Sequence, residues 1–143
     1  MDSNANVIMF AFRRPRFPLI CDFDGDLFAA PSPAALQGRL AGVALIDERK
    51  VRFVDANGEG WRYFQDKMIL APEFPMRTWR KIEIIRLFNG SRTANEMGLC
   101  YPERRLANRR LDRIVCEIAG IVGRDKKQSA SIKGMRPKEV GNR

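Results

Sequence analysis

The stretch LICDFDGDLF, Leu19 to Phe28, decides how the first half of the chain is read. Two apolar runs flank the pair Asp24-Gly25. Both residues of that pair tolerate the positive φ that a type I′ turn requires at its centre. The stretch therefore predicts a β-hairpin, with strands over 19–23 and 26–30. In that hairpin Asp22, Asp24 and Asp26 are carboxylates around a turn. At the end of a parallel strand the same residues would be reactive groups, and the fold would be a different one.

The same residues resemble the first motif of the haloacid dehalogenase-like phosphatases, an apolar strand running into Asp-x-Asp-Gly-Thr. The resemblance implies Asp22 as nucleophile, Asp24 as general acid, and a match at Gly25. It covers roughly seven residues. Asp26 stands where that family has threonine, and no apolar strand ending in Ser or Thr follows at a suitable distance. Asp112 and Asp125, the candidate late acids, fall in a basic helix and a tail. The rest of the chain lacks the strand–helix alternation of a parallel sheet. The hairpin is the expectation, the protein is read as non-enzymatic, and the phosphatase is the minor alternative. A Mg²⁺ or Ca²⁺ cluster at the three aspartates is another alternative, without the spaced oxygen ligands of a recognised loop. No cofactor and no metal site are expected.

On the amino-terminal side, VIMFAF is short and its charges, RRPR, follow it. That order fits neither a signal peptide nor a membrane span. Residues 1–17 read as an arm that packs as an edge strand. On the other side, Ser32 caps a short helix opened by Pro33, and Gly42 suits its exit. Strands are expected over Val43–Ile46 and Val51–Val54, with the turn DERK between them. Next, ANGEG predicts a second hairpin with an odd loop at Asn57-Gly58-Glu59. This register pairs Phe53 with Tyr63 and Asp55 with Trp61, and it puts Val51, Phe53, Trp61 and Tyr63 on one face. Arg62 then faces solvent. APEFP, residues 71–75, reads as a proline-bounded connector.

The second half has helical periods. Thr78 is the expected cap of a helix whose Trp79, Ile82, Ile85 and Phe88 recur at three-residue steps, and Asn89-Gly90 stops it. These aromatic residues read as core, not as stacking platforms for single strands. Ser91 opens a short helix ending at Gly98. Pro102 opens a long one reaching about Val122, with Arg105, Arg109 and Arg113 opposite its apolar stripe and Arg110 at the border. Ala94, Gly98 and Leu99 have the spacing of a helix-turn-helix unit, from which Arg104 and Pro102 depart. From Arg124 the chain is basic, lacks aromatic residues and is expected to be disordered.

Charge is unevenly placed along the 143 residues. Residues 1–76 hold 9 Lys/Arg and 10 Asp/Glu, a net of −1, while residues 77–143 hold 17 and 7, a net of +10. Such segregation points to a polyanionic partner. There is no histidine, which removes imidazole-based triads, and the three cysteines are far apart, which disfavours zinc sites and disulfide frameworks. A cytoplasmic setting without membrane association follows as the expectation.

Together these features predict an α+β protein. A small antiparallel sheet with one short helix precedes a three-helix, helix-turn-helix-like unit and a disordered basic tail. The expected divisions are 1–17, 18–75, 76–123 and 124–143. The expected function is binding of double-stranded DNA, with Arg92, Arg104, Arg105, Arg109, Arg113, Lys126 and Lys127 as contacts. An adaptor docking an acidic protein is the alternative from another class.

Overall fold

The computed structural model describes residues 8–41, 43, 47–132 and 138–139. In chain order the elements are β1 (Met9–Phe10), β2 (Leu19–Phe23), β3 (Asp26–Ala30), α1 (Pro33–Ala41), β4 (Val51–Val54), β5 (Gly60–Phe64) and β6 (Ile69–Pro72). Then come α2 (Lys81–Asn89), α3 (Arg92–Met97), β7 (Leu99–Cys100), α4 (Leu111–Ile132) and β8 (Lys138–Glu139). Short 3₁₀ turns occupy Glu48–Lys50 and Glu103–Leu106.

The first hairpin forms as its turn residues dictate. β2 and β3 pair antiparallel with Phe23 opposite Asp26, and Asp24 and Gly25 adopt φ of 55° and 102°. The Asp22 carboxylate accepts the Gly25 N–H at 2.8 Å, which fixes the turn from inside.

The expectation of a small antiparallel sheet is corrected. The sheet has six strands in the order β1-β6-β5-β4-β2-β3 and is mixed, because β1 runs parallel to β6. The sequence reading ended the sheet too early, at the proline-bounded segment. Ile69–Pro72 is instead a strand that pairs with β5, Tyr63 opposite Leu70. Pro72 sits at the last position of β6, where its missing N–H is tolerated. β6 then offers an edge to the arm: Met9 and Ala11 donate to Met68 O and Leu70 O at 2.9 and 3.0 Å.

The second hairpin keeps its odd loop but shifts by two residues. Phe53 lies opposite Trp61 and Val54 opposite Gly60. The shift is even, so side chains keep their faces. Phe53, Trp61 and Tyr63 are buried together with Val51 packed against them, while Arg62 is exposed. Asp55 sets the register. Its buried carboxylate accepts N–H groups from Arg16, Asn57, Glu59 and the Trp61 indole at 2.9–3.1 Å. Gly58, at φ 82°, closes the loop where a Cβ would lie 2.9 Å from Leu111. Of the strand expected over 43–46, residues 44–46 lie outside the described residues, as does the expected exit residue Gly42; Val43 is not in a strand.

The two faces of the sheet follow the two-residue period of its strands. Leu19, Cys21, Phe28, Phe53, Trp61 and Leu70 point to one face and meet Leu36 and Leu40 of α1. Ile20, Leu27 and Val54 point to the other face. There they pack with Ile84, Ile85 and Phe88 of α2, Ala94 and Met97 of α3, and Ile114, Val115 and Ile118 of α4. Each Leu, Ile, Val, Phe or Met side chain among them, removed from water, contributes about 1.5–3 kcal/mol. One apolar cluster therefore spans strands from the first half and helices from the second.

Helix boundaries differ from the periodic pattern for local reasons. α2 begins at Lys81, not after Thr78. The Trp79 N–H is used by Gly58 O at 2.7 Å and Thr78 bridges Glu59, so this segment is extended. α3 behaves as read: Ser91 Oγ accepts the Ala94 N–H at 3.0 Å, and Gly98 ends the helix at φ 69°. α4 begins at Leu111, not at Pro102. Residues 98–110 separate α3 from α4, so the tight turn of a helix-turn-helix unit is absent and that expectation is overturned. The segment read as a tail is described in part. The α4 backbone continues to Ile132, with no Gly or Pro after Gly123 to break it, and β8 pairs parallel with β7.

Candidate polyanion-binding surface

The three aspartates of the first hairpin each have a structural partner. Asp22, 3% exposed at its side chain, receives Arg52 on one oxygen, from Nε at 3.1 Å and Nη2 at 2.8 Å. Asp26 receives Arg92 Nε at 3.0 Å, and the Asp24 carbonyl accepts Arg92 Nη2 at 2.9 Å. Arg92 N–H and Thr93 Oγ1 complete the joint, with Gly25 O and Leu27 N–H at 2.9 and 2.8 Å. The hydrogen bond to Asp26 is the main cause that raises the Arg92 pKa. Arg92, read from sequence as a DNA contact, thus staples α3 to the hairpin turn. Asp22 lies between antiparallel neighbours β3 and β4, not at the end of a parallel strand. Among the described residues no three His, Cys, Asp or Glu side chains are placed to hold a metal ion.

The loop before α4 builds the second feature. Lys81 Nζ donates to Leu106 O and Arg109 O at 2.7 and 2.8 Å. Asn89 pairs with Tyr101 in both directions, at 2.7 and 3.0 Å. These bonds hold residues 101–109 over α2, with a 3₁₀ turn at Glu103–Leu106 and no α-helix there. Arg105 and Arg109 are therefore not part of a helical stripe with Arg113. They converge with it on one carboxylate. Arg105 Nη1, Arg109 Nε and Arg113 Nε lie 3.5, 3.3 and 3.4 Å from Glu117.

Glu117 also accepts the Tyr101 hydroxyl at 2.5 Å. Burial first, and this bond second, push the Tyr101 pKa up to about 12. The Arg105 guanidinium lies 5.7 Å from the Tyr101 ring centre. The side chains of Arg105, Arg109 and Arg113 are 11%, 31% and 64% exposed. The group opens outward from Arg105 to Arg113. One carboxylate cannot satisfy three guanidinium forks. The buried Arg109 Nε has no aligned hydrogen bond despite its short distance to Glu117.

Of the other residues read as contacts, Arg104 is exposed on the 3₁₀ turn beside this group. Lys126 and Lys127 lie on the α4 backbone, and their side chains fall outside the described residues. The sequence reading missed Glu117, Tyr101 and Lys81. The Arg113–Glu117 pair was accessible from its i,i+4 spacing. The Tyr101 and Lys81 contacts join segments whose proximity no local pattern announces.

No protein-family model, curated protein or solved structure matches the chain. Among the described residues, no helix is long and apolar enough to cross a membrane.

Proposed function

We propose that this protein is a small non-enzymatic DNA-binding protein that grips the phosphates of duplex DNA through its basic second half. The carrying observation is the convergence of Arg105, Arg109 and Arg113 on the single carboxylate of Glu117. Three positive charges less one negative leave +2 in a small area, with more N–H donors than acceptors. Arginine grips phosphate bidentately, and a fork already held in place loses less freedom on binding. Arg113, the most exposed of the three, makes the outer contact, while Arg105 holds the group in orientation against Tyr101. The excess of basic residues over 77–143 supplies the surrounding field. The setting is cytoplasmic in this reading, in keeping with three unpaired cysteines.

A salt titration of fluorescent duplex binding tests the proposal. Log K falls with log salt by about 0.9 per phosphate contact. Arg113→Ala is expected to weaken binding and flatten the slope by about one unit. Absence of binding at low salt, or an Arg113→Ala protein with unchanged affinity and slope, would overturn it. An adaptor for an acidic protein would use the same surplus charge. It would give only weak duplex affinity at physiological salt together with tight capture of an acidic protein.

A further inference from the structure

A cleft of about 430 Å³ opens between the first hairpin turn, the start of β4 and the junction of α2 with α3. We propose that this cleft is a second site, for a small ligand carrying a phosphate monoester dianion. Arg49, Lys50, Arg52 and Arg86 line it against Asp22 and Asp24, so four positive charges meet two negative ones and the balance is +2. It shares no lining residue with the Glu117 group.

The cations differ in how they are held, and that difference defines the site. Arg52 is fixed: Asp22 takes its Nε and Nη2, and its guanidinium lies 5.4 Å from the Trp79 ring centre. Asp22 occupies two of its five N–H donors, leaving three for a ligand. Lys50 has no ion pair among the described residues, and its carbonyl is tied to the hairpin by the Asp24 N–H at 3.1 Å. Arg49 and Arg86 have exposed partners at 3.5 and 3.6 Å, Asp47 and Glu103, pairs weak enough to yield to a better anion. A fixed fork with weakly paired cations around it suits a compact anion of high charge. Leu87 is the one large apolar lining residue, so charge and hydrogen bonding, and not apolar contact, carry the binding. The volume falls in the range of small-molecule sites, about 300–1,000 Å³.

The dianion is preferred over a nucleic-acid phosphate because Arg49, Lys50, Arg52 and Arg86 line one small cleft together, where a doubly charged group takes up more of their charge than a singly charged diester does. The test uses the full ¹⁵N-labelled chain at constant ionic strength, with phenyl phosphate and dimethyl phosphate as probes. Phenyl phosphate is expected to shift the amides of Gly25, Lys50, Arg52 and Ser91 saturably, and dimethyl phosphate to bind about tenfold more weakly. Binding of phenyl phosphate should strengthen as pH rises through about 6, where a monoester takes its second charge. Replacing two exposed residues together, Lys50→Ala with Arg86→Ala, should weaken binding about tenfold or more while the remaining spectrum is kept. Arg52→Lys, which keeps the charge and loses the fork, should fall between the two. Arg113→Ala should leave the saturable shifts at Gly25, Lys50, Arg52 and Ser91 unchanged, which separates this site from the proposed DNA contact. Shifts that never saturate, or a double variant that binds as the parent does, would overturn the proposal. Equal affinity for the two probes would instead assign the cleft to a nucleic-acid backbone.

Discussion

At the first hairpin, the Asp22 and Asp26 carboxylates are matched by Arg52 and Arg92, and Asp22 also by the Gly25 N–H. Before α4, three arginines are matched by one glutamate. Both regions look charge-rich in sequence, and they use charge in opposite ways. At the hairpin, Asp22 holds Arg52 of the neighbouring strand and Asp26 holds Arg92 of α3, so these two charges join elements of the fold. The arginine group instead gathers three positive charges around one negative one. A motif's residue types are thus a weaker guide to chemistry than the balance of donors and acceptors around them.

Four experiments probe that contrast. The largest effect is expected at Asp55, the most fully engaged acid of the sheet. Asp55→Ala strands four N–H donors, one of them the buried Trp61 indole, and should cost about 3–5 kcal/mol in urea unfolding. A loss under about 1 kcal/mol would mean that sheet-side acids are not structural in this sense.

Asp22→Asn keeps an acceptor for Gly25 and removes the charge facing Arg52. About 1–2 kcal/mol should be lost in thermal unfolding, moderated because Arg52 is half exposed. An unchanged melting temperature would leave the aspartate free for another role.

Glu117→Gln should act in two directions at once. Stability falls by about 1 kcal/mol, while duplex affinity rises and its salt slope steepens as the surplus grows from two charges to three. A fall in duplex affinity would show instead that the carboxylate is needed to aim the guanidinium groups.

The smallest effect is on pH dependence. The folded state favours the neutral Tyr101 phenol, with its pKa pushed up from 10.0 to about 12. The stability it contributes is therefore full below pH 10 and is lost as pH rises from 10 through about 12. Burial raises Tyr63 in the same direction. Urea midpoints measured over this alkaline range should decline less steeply for Tyr101→Phe. An identical decline would detach Tyr101 from the group.

The parts of the fold legible in sequence are those set by one or two residues at a defined dihedral or cap. Asp24-Gly25, Ser91 and Gly98 are of this kind, and Ser32 with Pro33 opens α1 as read. The shared face of Phe53, Trp61 and Tyr63 was also legible, because an even shift of register preserves it. What failed depended on distant partners. Pro102 fits a first helical turn, yet Lys81 and Asn89 hold the following residues as a loop. Ile69–Pro72 is a strand because β5 and β1 flank it, and proline alone argued for a connector. The candidate site follows the same rule. Arginine identity and excess were readable, whereas the focus on Glu117 needed residues 101, 105, 109 and 117 to meet in space.

The Arg92 staple joins residues 66 positions apart in the chain. Its consequence concerns modularity. The helical half cannot be lifted out as a portable cassette, because α2, α3 and α4 finish their apolar face only against Ile20, Leu27 and Val54. During synthesis the hairpin emerges first and must wait for α3 before its turn is locked. Grafting residues 76–143 onto another protein would carry over the arginines and leave behind the sheet face against which α2, α3 and α4 pack.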